Sequence, residues 1–140
     1  MTCIFCGALK DELYRVIYAN DLVYVLVNYE PVKDGHVMVL PVRHAEHLGD
    51  LKPKEAQAFL KAIDMCMKAI TEAYDEAPLC LVNGWQHRSQ PHLHAHVVPS
   101  KHDMGGLYVN AEGLDERKQA DRETLQKMAE KLKGYFKENI

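Results

Sequence analysis

The sequence predicts an α+β fold in which an antiparallel sheet packs against one long amphipathic helix. Three observations lead to this fold class. Short apolar segments separated by turn residues fill residues 15–40, apolar residues at helical spacing follow them, and two more strand-like segments come next. Short connections favour antiparallel neighbours, so this order is typical of an α+β domain.

Three strands are predicted ahead of the long helix. Residues 15–19 and 22–28 are rich in Val, Leu, Ile and Tyr, and an Asn-Asp pair supplies a turn between them. Residues 36–40 follow an Asp-Gly turn and end before a proline. We therefore expect an antiparallel meander of three strands.

A helix of about six turns is predicted over Pro53–Tyr74. Its apolar residues recur at spacings of three and four: Ala56, Phe59, Leu60, Ile63, Met67, Ile70 and Tyr74. Proline suits the first position of a helix, where a missing N–H removes no hydrogen bond. The spacing indicates that one face of this helix packs on the core.

Two further strands and a closing helix are predicted after the long helix. Residues 79–83 and 92–98 are strand-like, and a polar connection lies between them. Residues 101–115 contain two adjacent glycines and are expected to be irregular. Residues 121–137 carry apolar side chains on one helical face. The sheet should therefore have five strands, with one long helix and one C-terminal helix.

The composition is that of a globular protein with little charge bias. Of 140 residues, 47% are hydrophobic, and 17 Lys and Arg oppose 20 Asp and Glu for a net charge of −3. That balance argues against a broad surface for nucleic acid or anionic membranes. No apolar run approaches the roughly 18 residues of a membrane span, and no secretory signal is visible, so we expect a cytoplasmic protein. One domain is expected over residues 1–140, with its motifs in residues 3–100 and an extension over residues 101–140.

Three histidines alternate with apolar residues in the fifth predicted strand. His92, His94 and His96 would share one face, where alternate side chains lie roughly 7 Å apart. One interpretation is a three-histidine catalytic metal site with an open position. Another is a nucleophilic or general-base histidine that faces a phosphate. A strand edge with three exposed histidines is the third.

The phosphate interpretation makes definite demands on the imidazole. A neutral ring can attack phosphorus through one nitrogen if the other nitrogen keeps its proton in a hydrogen bond. A backbone carbonyl is the natural acceptor for that proton. Adjacent imidazoles can then donate to phosphoryl oxygens and stabilise the charge of the transition state.

The segment His-Leu-His-Ala-His-Val-Val over residues 92–98 resembles the signature of the histidine triad (HIT) family. The likeness extends upstream through residues 25–44, where Asn, Pro and Gly-His lead into an apolar strand that ends in Pro and a later His. Members of this family are nucleotide hydrolases and transferases. They usually form homodimers whose sheets join across the interface, so the resemblance implies a HIT-like fold and a sheet continued in a second copy.

The resemblance also implies a role for several residues. His94, the middle histidine, would attack the α-phosphate and become transiently nucleotidylated, and His96 would contact the phosphate. Asn28 would bind ribose hydroxyls. Ser89 would lie near the phosphate and the leaving group, and Asn83 would face the same site.

The loop before the triad departs from the family pattern. Family members often carry a Gly-rich loop with a Gly-Gln-Ser or Gly-Gln-Thr step, whereas residues 84–91 form a shorter segment. Arg88 stands where Gln is common; it would supply a cation for extra phosphates or be a solvated loop charge. Trp85 and His87 are candidates to line the pocket, and packing is the alternative for Trp85.

Cys3 and Cys6 form a C-x-x-C pair near the start of the sequence. A redox pair is expected at a strand-to-helix junction of a βαβ unit, which the pattern lacks, whereas two further ligands would complete a tetrahedral zinc site. Similarity to HIT branches with this pair, and to galactose-1-phosphate uridylyltransferase, implies zinc held by Cys3, Cys6, His44 and His92. His47 is the alternative to His44, and free thiols are the alternative to a metal. Such a closed site would be structural.

The sequence thus predicts an enzyme that attacks the α-phosphate of a nucleoside phosphate through His94 and passes the nucleotide to water. Asn28 and the proline after the triad are similar to dinucleoside polyphosphate hydrolases of the fragile histidine triad type, whereas the cysteines are similar to the phosphoramidase branch. Expected partners are a nucleoside mono- or polyphosphate and a second copy of the chain, with no nucleic acid, no membrane and no cofactor beyond structural zinc. A nucleotide-binding or scaffold module with weak turnover, a nucleotidyl transferase and a phosphorylase are the alternatives.

Overall fold

A five-stranded antiparallel sheet lies at the centre of Met1–Lys101, the first of two compact units of the chain. The computed structural model describes residues 3–83, 87–88 and 90–136. The strands are β1 Val16–Ala19, β2 Val23–Val27, β3 Val37–Pro41, β4 Ala77–Val82 and β5 Ala95–Ser100. They lie in the order β1-β2-β3-β5-β4, and each neighbouring pair is antiparallel. The predicted α+β class and the meander of the first three strands are confirmed.

The two faces of the sheet pack against different helices, because successive strand residues point to opposite sides. Helix α1 covers Ile4–Asp11 and helix α2 covers Pro53–Tyr74. One face forms a buried core with α2: Val23, Val25, Val37, Val39, Phe59, Ala62, Cys66, Ile70, Leu93, Ala95 and Val97. The other face forms a smaller core with α1: Phe5, Ala8, Tyr24, Leu26, Met38 and Leu40. The triad histidines alternate with residues of the α2 core, so their rings lie on the α1 face.

Helix α2 begins and ends at the predicted residues. The Lys52 N–H donates to the Glu55 carboxylate (2.9 Å), which satisfies one of the free N–H groups at the start of the helix. Arg43 also donates to Glu55, with Nη2 2.8 Å from Oε1. Asp75 adopts a left-handed conformation (φ 51°) directly after the last turn and ends the helix.

Helix α1 is an element that the apolar pattern does not predict. It has eight residues, of which Phe5 and Ala8 are buried, so its apolar repeat is too short to be recognised. The Tyr24 hydroxyl donates to the Phe5 carbonyl and holds the helix on the sheet. Beyond its end, Glu12 pairs with Arg15, which ends the short 3-10 turn Leu13–Arg15 (Nη2–Oε2 2.6 Å).

Strand β5 begins later than the sequence predicts. Its ladder with β3 starts at Ala95, so His92 and His94 precede the strand. The Leu93 N–H donates instead to the Ala45 carbonyl (2.7 Å), which lies beyond the end of β3. The strand also continues past its predicted end, because its last residues pair with β4.

Two helices make up the described part of the second unit, His102–Ile140. Helix α3 covers Met104–Glu112 and helix α4 covers Arg122–Lys133. The prediction of an irregular segment is wrong for α3, because the Asp103 carboxylate accepts the Gly106 N–H (2.8 Å) and caps this helix. The closing helix is confirmed over the range of α4. None of the described helices combines the length and the apolar character needed to cross a lipid bilayer.

Candidate active site

A cleft of about 1190 Å³ opens on the α1 face of the sheet. Helix α1 forms one wall, and the ends of β2 and β4 and the start of β5 contribute the others. Four residues that the HIT resemblance implicates line it together: Asn28, Asn83, His94 and His96. Residues that are far apart in the sequence therefore meet at one site.

His94 has a defined tautomer. Its Nδ1 lies 2.7 Å from the His92 carbonyl oxygen, which can only accept, so Nδ1 carries the proton. Nε2 therefore keeps its lone pair. The residue is 5% exposed, and the Phe5 ring packs against the imidazole in a T-shaped arrangement with 5.2 Å between centroids. This is the arrangement that nucleophilic attack by a neutral imidazole requires.

His36 and His96 form a hydrogen-bonded pair whose tautomers follow from one backbone group. The Val32 N–H donates to His36 Nδ1 (3.1 Å), so the proton of neutral His36 lies on Nε2. That N–H donates to His96 Nδ1 (2.8 Å), which leaves the proton of His96 on its Nε2. The Asn83 amide nitrogen lies 3.1 Å from His96 Nε2, and a half-turn of the amide places its oxygen there as an acceptor. His96 is therefore an N–H donor.

Asn28 directly follows β2 and is held by two hydrogen bonds of known direction. Its Oδ1 accepts the Glu30 N–H (2.8 Å), and its own backbone N–H donates to the His36 carbonyl (3.0 Å). The carboxamide Nδ2 lies 3.3 Å from His36 Nε2, but both atoms carry protons, so this contact is not a hydrogen bond. Because Oδ1 is bound within the turn, the Nδ2 hydrogens are the donors that Asn28 can offer to a ligand in the cleft.

Burial lowers the pKa of each histidine in this group. Desolvation is the main cause at His36 and at His94; the bond to the His92 carbonyl opposes it at His94, and the Arg88 guanidinium adds to it. The pKa of His96 is lowered to about 4 by burial and then by the nearby His94 and His36. Neutral imidazoles are therefore the forms that this site favours at neutral pH.

Two cysteines and two histidines converge beside the cleft. The ligand atoms of Cys3, Cys6, His44 and His92 lie within 4.8 Å of one another. The Sγ atoms of Cys3 and Cys6 lie 3.4 and 3.5 Å from His92 Nδ1, and Cys6 Sγ lies 3.3 Å from His44 Nδ1. Zn–S and Zn–N bonds of about 2.3 and 2.0 Å at tetrahedral angles place sulfur and nitrogen about 3.5 Å apart. The four residues fit a tetrahedral metal site.

The three histidines of the triad face different partners. His92 is fully buried; its Nε2 donates to the Pro41 carbonyl (2.8 Å) and its Nδ1 faces the thiols. Such an outer hydrogen bond is typical of a histidine that binds a metal. Within the described residues, the cluster of possible metal ligands contains neither His94 nor His96, nor His47. The interpretation with all three triad histidines on one ion does not match this geometry.

The loop before the triad is described in part. Ser89 and Trp85 lie outside the described residues. His87 lines the cleft. Arg88 donates to the Glu46 carbonyl, and its charge helps to lower the pKa of His94, so its guanidinium acts on the site.

No pattern in the local sequence predicts that two residues, Phe5 and Arg15, belong to the cleft. Phe5 contacts both His92 and His94 with its ring edge, and Arg15 lines the cleft while bonded to Glu12 and Val27. These contacts join segments that only the folded chain brings together. A longer apolar repeat around Phe5 would have been needed to predict its helix, and no pattern marks Arg15.

A family model described as HIT domain matches residues 11–103. The chain belongs to the HIT domain family. The match begins at the end of α1 and extends through β5, so it includes the cleft histidines of this HIT protein. Cys3 and Cys6 precede the matched residues.

Two kinds of curated protein are similar to this HIT protein. A bis(5′-adenosyl)-triphosphatase of Saccharomyces cerevisiae is 33% identical over 89 residues, which are 61% of this chain and 43% of the relative. An adenosine 5′-monophosphoramidase of Schizosaccharomyces pombe is 29% identical over 113 residues, which are 78% of this chain and 82% of the relative. The HIT protein thus spans less than half the length of the triphosphatase relatives.

Solved structures share the fold of this HIT protein. A HIT family member from Bacillus subtilis has a TM-score of 0.71 at 20% identity and covers 99% of this chain and 100% of its own. A histidine triad nucleotide-binding protein from Candida albicans has a TM-score of 0.68 at 22% identity, with 96% of each chain covered. The HIT-like fold that the triad motif implies is confirmed.

Proposed function

We propose that this HIT protein hydrolyses nucleoside phosphates at the α-phosphorus, with His94 as the nucleophile. The Nε2 lone pair forms a bond to phosphorus while the bond to the leaving group breaks; the leaving group keeps the electron pair and takes up a proton. Water then attacks phosphorus, and the electrons of the P–N bond return to Nε2. The hydroxyl of that water stays on the nucleotide. The other proton of the water is released to solvent and balances the proton that the leaving group took up.

The hydrogen bond from His94 Nδ1 to the His92 carbonyl is the observation that carries this proposal. It leaves Nε2 as a lone pair in a cleft, and burial of the ring opposes protonation of that nitrogen. The unprotonated form of Nε2, which is the form that can attack phosphorus, is therefore favoured.

The other residues of the cleft would bind the nucleotide. His96 would transfer its Nε2–H from the Asn83 amide, which accepts it in this structure, to a phosphoryl oxygen of the nucleotide. Asn28 would bind the ribose hydroxyls, and Ser89 would contact the phosphate and the leaving group, as the HIT resemblance implies. The names of the relatives favour two substrate classes, dinucleoside polyphosphates and nucleoside phosphoramidates.

Rapid quench with labelled diadenosine triphosphate and labelled adenosine phosphoramidate tests this proposal. The quench is alkaline, because a phosphorus–nitrogen bond to histidine is labile in acid. The parent should form a labelled protein adduct within the first turnover. His94→Ala should form none and should lose at least about 1,000-fold in turnover. His47→Ala, a histidine outside the cleft and the metal cluster, should keep both signals.

Other outcomes identify the alternatives. Tight nucleotide binding without turnover of either compound would indicate a nucleotide-binding or scaffold module. An adduct that passes its nucleotide to inorganic phosphate in preference to water would indicate a phosphorylase, and transfer to another nucleoside phosphate a nucleotidyl transferase. Full turnover by His94→Ala would overturn the role of this residue.

We also infer a structural zinc ion at Cys3, Cys6, His44 and His92. A mixed set of thiolates and imidazoles suits zinc. Four protein ligands leave no position for a substrate, so the ion would hold α1 on the sheet and supply no step of the hydrolysis.

A homodimer in the cytoplasm completes the proposal. Strand β4 is an edge of the sheet with Leu81 and Val82 exposed, so a second copy could extend the sheet there, as the resemblance to HIT homodimers implies. None of the four cysteines forms a disulfide, which suits a reducing compartment. We take residues 1–140 as one HIT domain with a C-terminal extension.

A further inference from the structure

One peptide group, between Val27 and Asn28, is held at both of its polar ends. Arg15 Nη1 donates to the Val27 carbonyl (2.8 Å), and the Asn28 N–H donates to the His36 carbonyl (3.0 Å). The two bonds determine the orientation of this peptide plane at the point where β2 ends. Since the Asn28 side chain starts from the same plane, its direction into the cleft depends on both.

The guanidinium of Arg15 is buried, and its burial lowers the stability of the fold compared with an apolar residue at this position. Arg15 is 7% exposed and forms an ion pair with Glu12 (2.6 Å). The Tyr29 ring centroid lies 5.6 Å from the guanidinium carbon of Arg15. Its Nε–H is buried without a hydrogen-bond partner in the described part of the chain. Burying such a group costs free energy, which an apolar residue would avoid.

We propose that Arg15 is a positioning residue for recognition of the ribose, and this rests on the proposed role of Asn28. Arg15 connects the segment after α1, through Glu12, to the carbonyl that precedes Asn28. It therefore keeps the Asn28 carboxamide where its Nδ2 donors can meet the ribose hydroxyls.

The chemical step does not depend on Arg15. His94 is oriented by the main chain of its own segment and His96 through His36, whereas the side chain of Arg15 bonds to Val27 and Glu12. Loss of Arg15 should therefore act on the affinity for ribose-bearing substrates and spare the nucleophile. A change in KM with an almost constant kcat is the expected signature.

Kinetics with two matched substrates test this inference. Adenosine phosphoramidate carries both ribose hydroxyls, and its 2′,3′-dideoxy analogue carries neither. Arg15→Met should raise KM for the first by about tenfold, change kcat less than about threefold and leave KM for the analogue unchanged. Arg15→Lys, which keeps one donor for the Val27 carbonyl but lacks the planar fork, should give an intermediate KM.

Ile70→Val provides the control for loss of stability, because Ile70 lies in the α2 core on the opposite face of the sheet. It should leave KM for both substrates unchanged. An equal rise in KM for both substrates in Arg15→Met would show a merely structural role and overturn the proposal. Unchanged kinetics for both substrates would overturn it as well.

Failure of the hydrolase proposal would be seen separately. If the parent turns over neither compound, calorimetric titration with AMP and with 2′,3′-dideoxy-AMP makes the same comparison through Kd. Arg15→Met should then weaken AMP alone, by about tenfold. A parent that binds both nucleotides equally would refute the role of Asn28 and with it the role of Arg15.

Discussion

A single backbone N–H, that of Val32, determines the protonation pattern of two buried imidazoles. Because this group can only donate, His36 keeps its proton on Nε2, and His96 in turn keeps its proton on Nε2. A second proton on His96 would lie on Nδ1 and face the N–H of His36, so two donors would oppose each other. The network is stable only while both rings are neutral.

We expect the neutral state of His96 to make stability depend on pH. Its pKa is about 4 in the folded protein and 6.5 in the reference state, so the unfolded chain binds more protons between these values. The contribution of His96 to the free energy of unfolding should therefore fall by up to about 1.4 kcal/mol for each pH unit between 6.5 and 4 and level off below about pH 4. Urea titrations across this range measure the slope.

His96→Asn is the matched control for this slope. Its amide stays neutral throughout, so the variant should lack the part of the pH dependence that His96 contributes, while the other histidines still titrate. Parallel stability curves for parent and variant between pH 6.5 and 4 would refute the prediction.

At the scale of elements, helix α1 is held where it begins and beyond where it ends. The cluster of candidate metal ligands includes Cys3 and Cys6 at the start of the helix, and Glu12 pairs with Arg15 after its end. With two buried residues, Phe5 and Ala8, the helix has little apolar area of its own to keep it on the sheet. Its position should therefore depend on the ligands.

Removal of the proposed zinc ion should loosen α1. Cys6→Ser should lose stoichiometric zinc, measured by plasma mass spectrometry, and its free energy of unfolding should fall by several kcal/mol. A chelator should destabilise the parent in the same direction. Cys80→Ser, which removes a thiol from β4, should keep its zinc. Zinc retained in Cys6→Ser, or stability unchanged by chelation, would contradict the structural role.

The start of α2 depends on one carboxylate. Bonds from Arg43 and from the Lys52 N–H lower the pKa of Glu55 to about 2, against a reference of 4.5. Glu55→Gln should lower the free energy of unfolding by about 1–3 kcal/mol at pH 7. The difference from the parent should shrink as the pH falls from 4.5 to about 2, because the parent then loses the charge too.

Glu123→Gln is the comparison for this carboxylate. Glu123 pairs with Lys127 on the exposed surface of α4, so its loss should cost less than about 0.5 kcal/mol. Equal losses in the two variants would show that the bonds of Glu55 contribute no more than an exposed ion pair.

The helices and strands differ in how well the sequence predicts their presence and their bounds. Helix α2 carries a long apolar repeat and a proline at its start, so both of its bounds were predictable. Helix α3 was not, because Gly105 and Gly106 indicate a loop, whereas the Asp103 cap determines the structure. Strand β5 begins later than predicted because the Leu93 N–H donates to the Ala45 carbonyl. The sequence around Leu93 does not indicate a partner so far away in the chain.

Across the whole molecule, the residues proposed to act on the substrate were easier to predict from the sequence than the residues that position them. The strict alternation of His92, His94 and His96 predicted imidazoles on one face of a strand, and the demands of phosphate chemistry predicted a carbonyl partner for one ring. The rings lie on the α1 face, although His92 and His94 precede β5, and His94 Nδ1 has a carbonyl partner. The cluster of Cys3, Cys6, His44 and His92 was implied by the family resemblance alone. Arg15 was unpredictable, because the Val27 carbonyl that it binds lies in β2 and its own neighbours form no motif.

The exposed edge of the sheet leads to a prediction about assembly. Sedimentation velocity should give the mass of a dimer, because β4 offers unpaired backbone groups beside exposed Leu81 and Val82. Val82→Lys should weaken the dimer by about tenfold or more, since a lysine on an edge strand opposes pairing. Leu60→Lys, on the exposed side of α2, should leave the mass unchanged. A monomeric parent would refute the proposed dimer.

The acceptor that orients His94 is main chain, and this has a consequence for mutagenesis. Every amino acid at position 92 brings the same carbonyl, so no codon change can delete it. The contribution of this group is accessible to chemical synthesis instead: an ester in place of the amide after His92 would weaken the oxygen as an acceptor and leave all the side chains intact. The same ester removes the Leu93 N–H that donates to the Ala45 carbonyl, so an ester in place of the amide after Ala45, which weakens that acceptor and leaves the His92 carbonyl unchanged, is the matched control.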